Sequence, residues 1–180
     1  MTPRVELVEL VELDAATIRA LATGDTAAVG RSAPVPLTPW LTGPECRGIW
    51  RMRAAQVDAD PATGRWVTRV VWDPDRRLAV GRAGFHGPPD DVGMVEVGYA
   101  IDPDHRRQGY ARTALQAVLG WAAREPGVTT VRASVGPANV ASRALVLAHG
   151  FRPVGEQMDD EDGLEIVYER PVGAAPVAPA

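Results

Sequence analysis

The 180-residue chain contains no lysine. That absence excludes the nucleotide-phosphate loop G-x-x-x-x-G-K-S/T, and no G-x-G-x-x-G follows a strand-like run either. All nineteen basic residues are arginine, a skew read as codon bias rather than as selection for phosphate contacts. Cysteine occurs once, at Cys46, which excludes an internal disulfide and suits the reducing cytoplasm. No segment approaches the roughly 18–20 apolar residues needed to cross a bilayer. The stretch Met1–Glu6 alternates charged and apolar residues, unlike a secretory signal. A net charge of −4 argues against general nucleic-acid binding. No His/Cys/Asp spacing suggests a metal, and no Ser/His/Asp order stands out. The expectation is a cytoplasmic monomer or homodimer without metal, membrane or nucleic acid.

What is present is ordinary for a globular domain: 46% apolar and 23% charged residues, in a length that fits one domain with a full core. Residues 1–170 are expected to form that domain. Residues 171–180, rich in Pro and Ala, have little to bury and are expected to be disordered. Acidic charge concentrates at Asp159-Asp160-Glu161-Asp162.

Periodicity supplies the elements. Val5–Leu13 alternates like a strand with one phase slip, and Asp14 caps a helix over Ala15–Ala22 that Gly24 ends. Residues 25–48 hold four prolines and read as a long loop with a short helix near Trp40. Gly48–Val57, Gly64–Trp72, Leu78–Phe85 and Gly93–Ile101 read as four strands in series, hence an antiparallel meander. Ala111–Arg124 carries a helical apolar stripe. Strand Val128–Val135, helix Asn139–His149 and strands Phe151–Val154 and Leu164–Glu169 complete the pattern. Periodicity by itself gives a mixed α+β domain with an antiparallel half.

The most informative stretch is Arg106-Arg107-Gln108-Gly109-Tyr110-Ala111, at a strand-to-helix junction. A helix start presents unpaired N–H groups and the positive end of the helix dipole, which together bind phosphate oxygens. Gly109 lets a ligand approach the backbone, Ala111 keeps the next turn narrow, and the two arginines add donors. The stretch therefore reads as a site for a phosphorylated ligand. A second block, Gly136-Pro137-Ala138-Asn139-x-x-Ser142-x-x-Leu145-x-x-x-x-Gly150-Phe151, follows the next strand. Asn139 is a good N-cap there, Ser142 lies one turn on, and Gly150 suits a helix C-terminus.

The two blocks resemble the GNAT acyltransferase family. Arg106, Gly109 and Ala111 meet its coenzyme A pyrophosphate loop, R/Q-x-x-G-x-G/A, preceded by Asp102-Pro103. Asn139, Ser142, Leu145, Gly150 and Phe151 meet its second motif, N-x-x-S/A-x-x-L/V-x-x-x-x-G-F. The resemblance spans about Val80 to Arg170. The Gly-Tyr pairs at Gly98-Tyr99 and Gly109-Tyr110 look like its ribosomal-protein-alanine acetyltransferase branch, which also holds enzymes for small amines and antibiotics. The resemblance implies a single GNAT-like α+β domain, with a mixed, mostly antiparallel sheet of six to seven strands and about four flanking helices. It also implies acetyl-CoA as acyl donor and direct transfer to a primary amine, on a small molecule or a peptide or protein N-terminus. The other reading is a degenerate GNAT domain that binds acyl-CoA as a sensor or interaction module.

Site residues follow from the same resemblance. Tyr99, Ile101, Arg106, Arg107, Gln108, Gly109, Tyr110, Ala111, Asn139 and Ser142 are expected at the coenzyme, with backbone N–H groups of Gly98–Ile101 polarising the thioester. Glu96 interrupts an apolar run on that strand and is the candidate base. Val146 stands where many relatives carry a tyrosine that protonates the leaving thiolate. Ser142 is a weaker substitute, and Tyr99 and Tyr168 are further candidates. Trp40, Trp50 and His86 are expected at the acceptor. The acidic turn at 159–162 would steer a cationic amine.

Overall fold

Asp14 begins the fold as its side chain allows: its carboxylate accepts the Thr17 amide at 2.7 Å, and α1 (Ala15–Thr23) runs from there to a left-handed Gly24. A computed structural model describes residues 7–160 and 163–173. Among these lie seven strands and six α-helices. Beyond α1 the helices are α2 (Thr26–Ser32), α3 (Pro39–Thr42), α4 (Pro44–Ala59), α5 (Tyr110–Ala122) and α6 (Val140–Ala148). The strands are β1 (Glu9–Val11), β2 (Arg69–Asp73), β3 (Leu78–Phe85), β4 (Met94–Ile101), β5 (Thr130–Val135), β6 (Arg152–Asp159) and β7 (Gly163–Pro171). They form one sheet in the order β1-β2-β3-β4-β5-β7-β6. Pairing is antiparallel for β1 with β2, β2 with β3, β5 with β7 and β6 with β7. It is parallel for β4 with β5, over Met94↔Thr130 to Glu96↔Arg132.

The expected four-strand meander is corrected at its start. Residues 48–57 belong to helix α4, not to a strand. The inward face of α4 is Cys46, Trp50, Arg53, Ala54 and Val57, a stripe of helical spacing. An arginine inside that stripe and Gly48 beside it hide the period. Pro44 occupies the first turn, where its missing N–H costs nothing. The predicted loop 25–48 is likewise mostly helical, through α2, α3 and the start of α4, so six helices stand where about four were expected. β2 starts at Arg69 rather than Gly64, because Asp60 accepts the Ala62 amide at 3.0 Å and caps a 3-10 turn over Pro61–Arg65. β1 is shorter than the alternation of 5–13 suggested, and residues 5 and 6 lie outside the described set.

The chain divides into two compact units. The first takes in the residues up to Pro88 and Gly98–Val118. Its core gathers Ile18 and Leu21 of α1, Leu41 of α3, Trp50 and Val57 of α4, and Val70 of β2, all nearly or fully buried. The second unit takes in Pro89–Val97 and the residues from Leu119 on. Val131, Ala133 and Val135 of β5 and Val167 of β7 are buried there. Arg132 reaches Glu169 across β5 and β7 at 2.6 Å. β7 continues through Pro171, and the Val172 amide donates to the Thr129 carbonyl at 2.9 Å. Residues 174–180 of the predicted tail lie outside the described set.

Trp50 ties α4 to α3: fully buried, it donates from Nε1 to the Leu41 carbonyl at 2.7 Å. Trp50→Phe leaves that carbonyl unpaired and a void beside it. A loss of about 1–3 kcal/mol is expected, read as a lower midpoint with unchanged slope in urea unfolding.

Candidate functional site

In the first unit, the turn between β4 and α5 is built on Asp102. This residue is 5% exposed, and its amide donates to the Val80 carbonyl at 3.0 Å. Its carboxylate accepts the Asp104 amide and the Thr38 hydroxyl, each at 3.1 Å, so one side chain shapes the Pro103–His105 turn and ties it to α3. Arg106 donates from Nε to the Ile101 carbonyl at 3.0 Å. The backbone then enters the left-handed region twice, at Arg107 (φ 59) and Gly109 (φ 96). Such alternation turns successive N–H groups toward one concavity. Among the described residues, the amides of 107–111 donate to no protein acceptor; backbone bonding resumes with the Arg112 and Thr113 amides to the Gly109 carbonyl, at 3.0 and 3.2 Å. A Cβ built on Gly109 meets nothing within 4 Å. The positive φ demands the glycine, and the space beside it is open to a ligand.

Three side chains hold this turn from outside. The buried Tyr110 hydroxyl donates to Asp73 Oδ2 at 2.6 Å. Arg76 donates from Nη1 to Gln108 Oε1 at 2.8 Å and to the Tyr110 oxygen at 3.1 Å, with its guanidinium 5.9 Å from the Tyr110 ring centre. Burial, then the Asp73 carboxylate, pushes the Tyr110 phenol up to about 12. Burial opposes the Asp73 charge, yet the Tyr110 hydroxyl, the Arg76 and Asp75 amides and the Arg76 cation outweigh it and hold the carboxyl below its ordinary range.

Several expected contacts are redirected by burial. Tyr110 is 1% exposed and its hydroxyl is committed, so only its amide can meet a ligand. Ile101 is buried and its carbonyl is held by Arg106. Trp50 lies in the core and cannot wall an acceptor pocket. Trp40 is half-buried and packs partly on that core. His86 is exposed at the end of β3, and a Cβ on Gly98 would come 2.8 Å from its Nε2, so glycine gives the ring room beside β4. Tyr99 follows, half-buried. A cavity of about 460 Å³ lies between α2 and the Pro34–Leu37 segment, and neither Trp40, Trp50 nor His86 lines it.

In the second unit, Glu96 is half-buried on β4, between Val95 and Val97, which turn to the opposite, buried face. Asn139 caps α6 by accepting the Ser142 amide at 3.1 Å. Ser142 is half-buried one turn in. Val146 is fully buried and belongs to the core. Arg143 donates to the Tyr168 hydroxyl at 3.1 Å and to the Pro137 carbonyl at 3.1 Å, fixing the turn before α6. Of the acidic turn, Asp159 ends β6 and Asp160 follows it, whereas Glu161 and Asp162 lie outside the described residues.

Sequence reasoning missed Asp73, Arg76 and Thr38. The partner of Asp73, Tyr110, lies 37 positions away. No local pattern encodes that pairing.

A family profile described as acetyltransferase (GNAT) domain matches residues 4–152. The chain belongs to that family. An uncharacterized N-acetyltransferase of Bacillus subtilis (strain 168), YjdG, is 34% identical over 82 residues, 46% of this chain and 49% of the relative. The chain spans about half the length of the curated relatives it matches. The ribosomal-protein-S5-alanine acetyltransferase from Vibrio fischeri superposes with a TM-score of 0.62 at 18% identity, covering 92% of both chains. The ribosomal L7/L12 alpha-N-protein acetyltransferase RimL, solved with coenzyme A, superposes with 0.64 at 18% identity, covering 95% of this chain and 97% of its own. At these identities the likeness is one of fold.

Tyr110→Phe tests the brace. Losing the hydroxyl leaves Asp73 buried with one acceptor bond fewer, a cost of about 1–3 kcal/mol. The Asp73 carboxyl is depressed in the fold, so its contribution is present above its unfolded value of 3.8 and is lost as pH falls further. The phenol is raised, so its contribution is full below 10 and is lost as pH climbs toward about 12. Thermal unfolding from pH 2 to 12 should show the variant less stable at neutrality, with both limbs flattened. Wild-type limbs in the variant would remove the pair from the account.

Proposed function

We propose that the chain is an acetyl-CoA-dependent N-acetyltransferase that moves an acetyl group directly to a primary amine of a small molecule or of a peptide or protein N-terminus. The reading rests foremost on the unbonded amides of 107–111 around an open, left-handed Gly109, at the start of a thirteen-residue helix. This cradle fits a pyrophosphate: donors converge, the helix dipole favours negative charge, and no side chain fills the space. When bound, acetyl-CoA supplies a thioester-activated acyl group.

The chain's own residues then have distinct tasks. The amides of Arg107, Gln108, Gly109, Tyr110 and Ala111 would hold the pyrophosphate, with the exposed Arg106 and Arg107 contributing charge. Ile101 and Tyr99 would contribute backbone, together with Gly98, toward the acyl oxygen. Asn139 and Ser142 would complete the coenzyme contacts from α6. Glu96 would accept the proton from the acceptor's ammonium, directly or through a water, and so present the neutral amine. Ser142 would deliver a proton toward the departing sulfur. A thiol of pKa about 8.5 also leaves tolerably without one. His86 would stand at the acceptor side.

One observation favours the non-catalytic alternative, an acyl-CoA sensor: Val146, fully buried, offers no proton at the tyrosine position. Thiol release across an amine panel separates the readings, since tight coenzyme binding with no turnover on any amine or peptide would establish the sensor.

Gly109→Asp places a side chain and a negative charge in the cradle. Acetyl-CoA affinity by calorimetry should fall at least tenfold, about 1.4 kcal/mol, while unchanged affinity would put the coenzyme elsewhere. Glu96→Gln keeps shape and loses basicity, so kcat should fall roughly 10²–10⁴-fold with coenzyme affinity kept. Near-full activity at neutral pH would assign the proton to another group.

A further inference from the structure

The first unit holds two guanidinium groups that the coenzyme reading does not use. α4 turns Cys46 and Arg53 inward, two helical turns apart, toward the sheet. Arg53 is 2% exposed. It donates from Nε to Thr68 Oγ1 at 2.9 Å, and from Nη1 to Gln56 Oε1 at 2.8 Å and the His86 carbonyl at 3.1 Å. Every one of these partners is neutral, and Nη2 has no acceptor among the described residues. Arg82 lies half-buried on β3 opposite Val70, and its charge acts on the buried Cys46 thiol. Its Nε is buried with no partner.

Neither guanidinium has a carboxylate within ion-pair reach among the described residues. Two acids influence Cys46 electrostatically, Glu45 and Asp102, but neither pairs with these arginines. Glu45 is exposed, and Asp102 spends its oxygens on Thr38 and the Asp104 amide. The two cations also act on each other: burial first, then the Arg82 charge, lowers the Arg53 value to about 10.

Buried charge without a counter-ion is strongly unfavourable, and two like charges together are more so. Because the chain uses no lysine, the choice of arginine carries no information here. The burial and the missing partner do. The group is also placed where an acceptor would matter. The His86 carbonyl joins Arg53 and Gln56, at 3.1 and 2.7 Å, while its ring lies beside Gly98 of β4.

We infer that Arg53 and Arg82 form an oxyanion subsite of the acceptor, so that the amine acetylated by this chain carries a carboxylate or phosphate of its own. The inference rests on the acetyltransferase reading. A planar guanidinium suits either oxyanion.

The test uses the full chain and one primary amine prepared in three forms, with a neutral amide, a carboxylate or a phosphate at the same position. Wild type should favour an anionic form over the neutral one by at least about tenfold in kcat/KM, and the better of the two identifies the oxyanion. Arg82→Gln should collapse that preference about tenfold through KM, with the acetyl-CoA Kd kept within about twofold. Arg53→Lys keeps the charge but loses the fork and should weaken the same preference. A readout independent of turnover runs beside these: inorganic phosphate or acetate should raise the wild-type Tm and leave that of Arg82→Gln unmoved. Equal use of all three amines, a loss of coenzyme affinity in Arg82→Gln, or no Tm response to either anion in wild type would each overturn the inference. Failure of the acetyltransferase reading is visible separately, as absent turnover with the anion response intact.

Discussion

The 2.6 Å hydrogen bond from Tyr110 to Asp73 is the constraint on which the candidate site depends. A helix N-terminus attracts anions only if its amides stay unpaired and aimed, and a turn left to itself would fold those amides onto its own carbonyls or lose them to solvent. Asp102 fixes one end of the turn, through Thr38 and the Asp104 amide. Tyr110 and Arg76 fix the other, against the turn between β2 and β3. The amides between them are left unsatisfied by protein, and the surrounding bonds hold them so.

What could be read from the sequence follows from how local each cause is. Asp14, Asn139 and Gly24 act within four residues of themselves, and their caps fall where their side chains dictate. β3 was legible to the residue, Leu78–Phe85 being both the expected and the observed span. α4 was not legible: its inward stripe includes Arg53, which bonds Thr68 just before β2 and His86 just after β3, far off in sequence. Trp50 illustrates the same limit from the other side. An aromatic in a Pro/Gly-rich stretch suits a pocket wall or a core equally well, and only the Leu41 carbonyl, nine residues back, decides for the core.

The motifs themselves were legible because they are backbone devices. Gly109 and Asn139 work through φ and through a cap, and sequence spacing carries both. Electrostatic arrangements were not. The Asp73–Tyr110–Arg76 cluster and the Arg53–Arg82 pair assemble side chains from separate elements. A charge count of −4 gives no hint of two cations gathered under α4.

β6 has a consequence for how molecules of this chain meet one another. It closes one edge of the sheet over eight residues, seven of them exposed, among them Val154 and Met158. A strand whose outer rim pairs with no other strand among the described residues, and which carries apolar side chains, is a template on which another backbone could grow. Pro153 offers no donor, and the register slips between Pro153 and Gly155, so the rim is broken near its start. Glu156, Asp159 and Asp160 then set like charges against any strand of the same sequence that approached. Pairing of two copies along this edge is thus opposed twice, by the kink at Pro153 and by three carboxylates.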